Sequence, residues 1–214
     1  MKDLVFHLMN TFLLSASLIT VSCGKQPDTE TIRLYLRAEE AFKQGRYGEV
    51  TELLYEQNRF PPALVLRAKA DFFSGEIEKA EKSCRRAIKL QPSSSEANLY
   101  LARILREKGD LAGAFNTAEK LLADNPQDIR TLRFAAGLAM ETEKLDEAAI
   151  LLDKAAGYSG ESALVLLDRA RLRWITGRKD DALEDLSRAA AMLPWDSPLS
   201  RSINNLEKTI REAQ

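Results

Sequence analysis

The chain has 214 residues, 45% of them hydrophobic and 29% charged, and its 31 basic and 32 acidic side chains leave a net charge of −1. That balance excludes a nucleic-acid binder, which needs a clustered excess of Lys and Arg, and a disordered chain, which lacks the apolar residues for a core. A single histidine, His7, and two cysteines, Cys23 and Cys84, narrow the chemistry further.

Residues 4–22 are mostly apolar, follow Lys2 and end at Cys23. Their uninterrupted apolar part, 12–21, is shorter than the roughly 20 residues a membrane-spanning helix needs. A positive start, an apolar stretch and small residues before a cut site predict a signal peptide over 1–22. Thr20-Val21-Ser22-Cys23-Gly24 resembles a bacterial lipobox, although Thr20 and Asp3 depart from the usual pattern. The resemblance implies cleavage before Cys23 and acylation of that residue, for instance with palmitate. It also implies a bacterial cell-envelope lipoprotein facing the periplasm, with Gly24 favouring the outer membrane. An uncleaved anchor helix, or a secreted protein with an incidental Cys23, are the alternatives. Removal of 1–22 takes away His7 and leaves no imidazole, which excludes Ser-His-Asp or Cys-His catalysis and His-ligated zinc. Residues 23–30 then form a tether. The seven residues after Cys23 reach at most about 25 Å, so the rest is held close to the membrane.

Residues 31–60 carry Ala38, Gly45, Tyr47, Val50 and Leu54, with Pro62 just beyond, at the offsets of a degenerate helix pair whose second helix is about one turn short. Beyond it the chain repeats on a step of 34. Gly75, Gly109, Glu143 and Gly177 share one phase, Ala80, Ala114, Ala148 and Ala182 another, and Pro92, Pro126, Gly160 and Pro194 a third. A fixed period in this range means stacked helical units. Ala68, Ala102, Ala136 and Ala170 precede the turn by seven residues, so small side chains face each other where two helices cross. Gly at the turn supplies a left-handed backbone, and Pro ends the second helix. This pattern resembles the tetratricopeptide repeat (TPR). The resemblance implies an all-α, right-handed superhelical solenoid of antiparallel helix pairs, with four full repeats at 61–94, 95–128, 129–162 and 163–196. In 197–214, Leu199, Ile203, Leu206 and Ile210 form one apolar stripe. They predict a capping helix over the last unit, with a partner-docking helix as the alternative.

Nothing in the residues points to catalysis, a cofactor or a metal. Adjacent carboxylates such as Glu39-Glu40, Asp180-Asp181 and Glu184-Asp185 diverge by about 100° on a helix. Cys84 is in register with Ala118, Leu152 and Leu186, which makes it a core residue, and no base stands beside it.

The resemblance also implies that the first helix of each unit lines a concave groove. The residues expected there are Tyr35, Glu39 and Phe42 in the degenerate pair and Val65, Lys69, Phe72 and Phe73 in the first full unit. Glu96, Leu99, Arg103 and Arg106 follow in the second, and Arg130, Arg133, Met140 and Glu141 in the third. The fourth contributes Leu164, Leu167, Arg171 and Trp174. Aromatics, Met and Arg are the types enriched at protein interfaces. Together these features predict a membrane-anchored scaffold or adaptor whose basic-aromatic groove binds a segment of another protein, of acidic character. A small-ligand-binding component of a periplasmic transport system is the alternative.

Overall fold

The computed structural model describes residues 27–159 and 162–213, so the signal segment, Cys23 and Gly160 lie outside the described residues. Among the described residues there are eleven helices and no strand. The chain opens with α1 (Thr29–Lys43) and α2 (Tyr47–Leu53). Four pairs follow: α3 (Pro61–Phe73) with α4 (Ile77–Leu90), α5 (Ser95–Glu107) with α6 (Leu111–Asp124), α7 (Ile129–Glu141) with α8 (Leu145–Ser159), and α9 (Ala163–Ile175) with α10 (Lys179–Ala191). The array ends with α11 (Pro198–Glu212).

Local chemistry sets each helix boundary. Ser94, Asp128 and Ser162 stand one residue before α5, α7 and α9, and their side chains accept hydrogen bonds from the backbone N–H groups of Ala97, Arg130 and Val165, each at 3.3 Å. A cap of this kind is worth about 1 kcal/mol. α3 begins instead on Pro61 and Pro62, whose missing N–H groups would have had no helical partner there.

The first helices of all five pairs end alike. The Gly75 N–H donates to the Phe72 carbonyl at 3.1 Å and the Glu76 N–H to the Asp71 carbonyl at 2.8 Å, and the same two bonds recur after α1, α5, α7 and α9. This is the Schellman arrangement, and it requires a left-handed residue at its centre. Gly45, Gly75, Gly109 and Gly177 supply it at φ between 73° and 81°, and Glu143 at φ 60°. A non-glycine residue pays about 1–2 kcal/mol for that conformation. Glu143→Gly is therefore expected to stabilise the chain by about 1 kcal/mol, raising the melting temperature by roughly 2–4 °C. Gly109→Ala should shift it as far in the other direction. An unchanged melting temperature for both would show that this turn carries no strain.

The small residues do what their spacing predicts. Ala68, Ala102, Ala136 and Ala170 are fully buried, as are Ala80, Ala114, Ala148 and Ala182 across from them. Cys84 is also fully buried, and loss of hydration pushes its thiol up to about 12, far from the thiolate state needed for reaction. Ile203 and Ile210 of α11 are buried against Leu166, Ala182, Leu186 and Ala189, so α11 covers the apolar face of the last pair.

Two joints between paired helices add polar residues to the alanines. Between α3 and α4, Arg67 donates to the carbonyls of Leu54 and Tyr55 at 3.2 and 3.0 Å and to Ser83 Oγ at 3.2 Å. It thereby caps the C-terminal end of the short α2. Asp71 beside it accepts a bond from the Thr51 hydroxyl at 3.2 Å, and burial raises its carboxyl above the ordinary range. Between α9 and α10, Asp185 is fully buried. It accepts two bonds from Arg169, at 2.7 and 3.0 Å, and pairs with Arg173 at 2.7 Å. Those bonds hold the Arg169 guanidinium above its usual range.

Candidate functional site

The inner face is built by α1, α3, α5, α7 and α9, and it divides into two regions of different chemistry. At the N-terminal end the expected groove residues pack on one another. Phe42 contacts Tyr47 and Phe73 at ring-centroid distances of 5.4 and 5.9 Å, Tyr47 stacks on Phe73 at 5.5 Å, and Phe72 meets Phe73 and Tyr100. Lys69 Nζ lies 5.1 Å from the Phe42 ring and 5.5 Å from that of Tyr100, and pairs with Glu96 at 3.0 Å. Tyr35 sits edge-on to Phe60 and donates its hydroxyl to Glu39 at 2.8 Å. This aromatic seam joins the first three pairs, and edge-on rings and cation–π contacts add about 0.5–1.5 kcal/mol each to simple burial.

The C-terminal half of the inner face is open. A cavity of about 700 Å³ is lined by Arg103 and Arg106 from α5, by Arg130, Arg133, Phe134 and Met140 from α7, and by Arg171 and Trp174 from α9. Gly137 forms part of its floor, and Ile175 and Leu206 border it. Two carboxylates, Glu141 and Asp168, reach the same space. The structure thus brings together Arg103, Arg106, Arg130, Arg133, Met140, Arg171 and Trp174, while Tyr35, Phe42, Lys69, Phe72 and Phe73 belong to the seam.

Ion pairs that cross between units organise the arginines. Arg106 forms a two-pronged bond to Glu141, its Nε at 3.0 Å from Oε2. Arg133 Nε donates to Asp168 at 2.6 Å, and Arg171 Nη1 donates to the other oxygen of Asp168 at 3.3 Å. Arg130 folds back towards the cap residue Asp128 at 3.3 Å and stays largely exposed. Arg103 stacks over the Tyr100 ring at 4.9 Å and has no carboxylate within ion-pairing distance among the described residues. Five arginines therefore face two carboxylates, and Arg103 and Arg130 are the ones least committed to a partner inside the chain.

The sequence reading needs correction at three groove positions. Val65, Leu99 and Leu167 are only 3–4% exposed and pack between helices. The row one residue further on supplies Tyr100, Phe134 and Asp168 to the inner side instead. A step of one residue turns a helix by about 100°, so an inner stripe placed by offset alone is uncertain by that much. The side chain length decides the exception: Arg133 starts in the buried row and reaches Asp168. Sequence reasoning also missed Gly137. It shares the 34-residue phase of Lys69, Arg103 and Arg171, so the signal was present as a gap in a row of cations. A Cβ added there would meet nothing within 4 Å. No close packing calls for this glycine, and inside a helix it costs about 0.5–1 kcal/mol relative to alanine. By contrast, a Cβ on Gly113 would clash with the Asp110 carboxylate that caps α6.

Comparison with known proteins agrees with this architecture. Residues 65–129 match the profile of the family described as Tetratricopeptide repeat. A 54-residue stretch is 39% identical to the mitochondrial import receptor subunit tomm-70 of Caenorhabditis elegans, a match that spans 25% of this chain and only 10% of that receptor. Among solved structures, a thermophilic TPR protein of Thermus thermophilus superposes with a TM-score of 0.72 at 19% identity, covering 81% of this chain and 96% of that one. A tetratricopeptide repeat protein from Parabacteroides merdae gives 0.74 at 20% identity, covering 86% and 72%. MamA from Desulfovibrio magneticus RS-1 gives 0.61 at 19% identity, covering 82% and 97%. At these identities the structural likeness concerns the fold.

Proposed function

The chain is a tetratricopeptide-repeat protein, and from that premise we propose that it is an adaptor, tethered to the bacterial cell envelope through Cys23, that holds an acidic segment of a partner protein in its inner groove. Helical repeats of this type present extended concave surfaces to other proteins. The observation that carries the finer reading is the convergence of five arginines with Met140 and Trp174 on one cavity, in a chain whose net charge is −1. An acidic ligand would meet a positive surface there, and charge complementarity of this kind fixes register and speeds association. A cavity of about 700 Å³ also falls in the size range of small-ligand sites. Its lining, however, is shared by three successive helix pairs, which favours a chain segment.

The choice of mutations follows from the ion pairs. Reversing Arg106 or Arg133 would set a carboxylate against Glu141 or Asp168 and disturb the fold. Arg103→Glu with Arg130→Gln avoids both and sets no new carboxylate against Asp128. A photo-reactive amino acid at position 140 should cross-link an acidic partner in envelope membranes. The double variant should reduce that adduct about 100-fold while leaving helical content unchanged. An undiminished adduct would sink the basic-groove reading. For the tether, a fatty-acid label should be incorporated by the parent chain and lost in Cys23→Ala; equal labelling would show that Cys23 is not acylated.

A further inference from the structure

We propose that the gap at Gly137 is an anchor site for one aromatic side chain of the bound segment, so that the ligand is an acidic stretch carrying a Trp, Tyr or Phe. The inference rests on the reading that the groove takes an acidic segment, and it specifies what that segment contains. Along the inner face, Lys69, Arg103 and Arg171 occupy one repeated position with long cationic side chains, and Gly137 occupies the same position in α7 with none. No steric demand explains it, because the space above its Cα is open. The glycine weakens its own helix and leaves a recess in the cavity floor. Phe134 and Met140 flank it by one turn on either side, and Arg103, Arg171 and Trp174 of the neighbouring units line the same cavity.

This surrounding selects an aromatic ring. Guanidinium groups stack on aromatic faces, as Arg103 already does on Tyr100 at 4.9 Å. A ring lying on the Gly137 backbone would present its faces to Arg103 and Arg171 and its edges to Met140 and Trp174, contacts that sulfur and aromatic groups favour. Carboxylates on adjacent ligand residues would lie within reach of Arg103 and Arg130. A lysine in the same recess would set its charge beside like-charged guanidiniums, and a glutamate, though drawn to them, would leave the apolar surfaces of Phe134 and Met140 uncovered.

The test uses the purified full chain and two fluorescein-labelled peptides of alternating Glu and Ser, one with Trp and the other with Ala at the centre. Fluorescence anisotropy should show the Trp peptide binding about tenfold more tightly. Gly137→Leu should erase that preference while leaving the affinity for the Ala peptide within about twofold, and Gly137→Ala should reduce the preference about threefold without disturbing any packed neighbour. Both substitutions put a better helix former in α7, so helical content should hold. Equal binding of the two peptides to the parent chain, or a preference that survives in both Gly137 variants, overturns the anchor and leaves the acidic-groove reading in place. Failure of both peptides to bind overturns both readings.

Discussion

Asp185→Ala is expected to lower the unfolding free energy by about 3–5 kcal/mol, measured by chemical denaturation followed by circular dichroism. The Asp185 carboxylate is fully buried and answers two guanidiniums, Arg169 and Arg173, whose own side chains are only 17% and 20% exposed. Removing it leaves two poorly hydrated positive charges one turn apart on α9, both directed at the α9–α10 joint with no carboxylate to answer them. The cost lies in that stranded charge rather than in the worth of the ion pair itself. A control separates the two. One unit earlier, the equivalent positions are Ala135, Ala139 and Leu151, an apolar solution to the same joint. Carrying it over as Arg169→Ala, Arg173→Ala and Asp185→Leu together should bring stability back to within about 1–2 kcal/mol of the parent, because well-packed apolar residues commonly replace a buried ionic cluster without loss. If the triple variant is as unstable as Asp185→Ala, the ionic cluster is itself the source of stability and this account fails.

Ile203→Ala combined with Ile210→Ala should undock α11. Both side chains are fully buried against Leu166, Ala182, Leu186 and Ala189. Each truncation of a buried Ile to Ala costs about 2–5 kcal/mol, and the apolar residues of α11 that remain, Leu199 and Leu206, lie only at the rim of the same cluster. In a solenoid each unit is stabilised by its nearest neighbours, so the damage should stay local. Amide hydrogen exchange should accelerate in α9, α10 and α11 and remain slow in α3 to α6. The uncovered face should also make the chain self-associate, visible by size-exclusion chromatography as a concentration-dependent shift. Uniformly faster exchange throughout the array would contradict the local picture. Because Leu206 borders the inner cavity, the same variant should weaken ligand binding at its C-terminal end.

Most of the architecture was legible because it rests on residues whose backbone or size requirements are absolute. A turn that needs positive φ selects glycine, and a close helix crossing selects alanine, so Gly75, Gly109 and Gly177 and the two alanine rows carry the fold in plain view. Glu143 shows the limit of that rule: the neighbouring bonds impose the left-handed turn even where the residue resists it. The caps at Ser94, Asp128 and Ser162 fall on the same 34-residue step but emerged only with the structure, since Ser and Asp occur in many other settings.

The inner face was harder to read from residues alone. A spacing rule names the helix that faces inward, yet it does not say whether Lys69 reaches solvent or lies between Phe42 and Tyr100, or that Arg133 leaves its own row to meet Asp168. Those outcomes depend on which side chains of adjacent units come within a few ångströms, and that follows from how one helix pair stacks on the next.

The helical repeat, its period, the burial of Cys84 and a covering helix over the last unit are written in the residues, because each depends on local backbone preference or on a periodic apolar face. The stacking of one helix pair on the next adds that the aromatic residues divide into a packed seam and an open cavity, that Asp168 and Glu141 take up three of the five cavity arginines, and that Gly137 leaves open space among them. Charge pairing across units and the space left by a missing side chain arise only when distant segments are brought together, and no local preference encodes them.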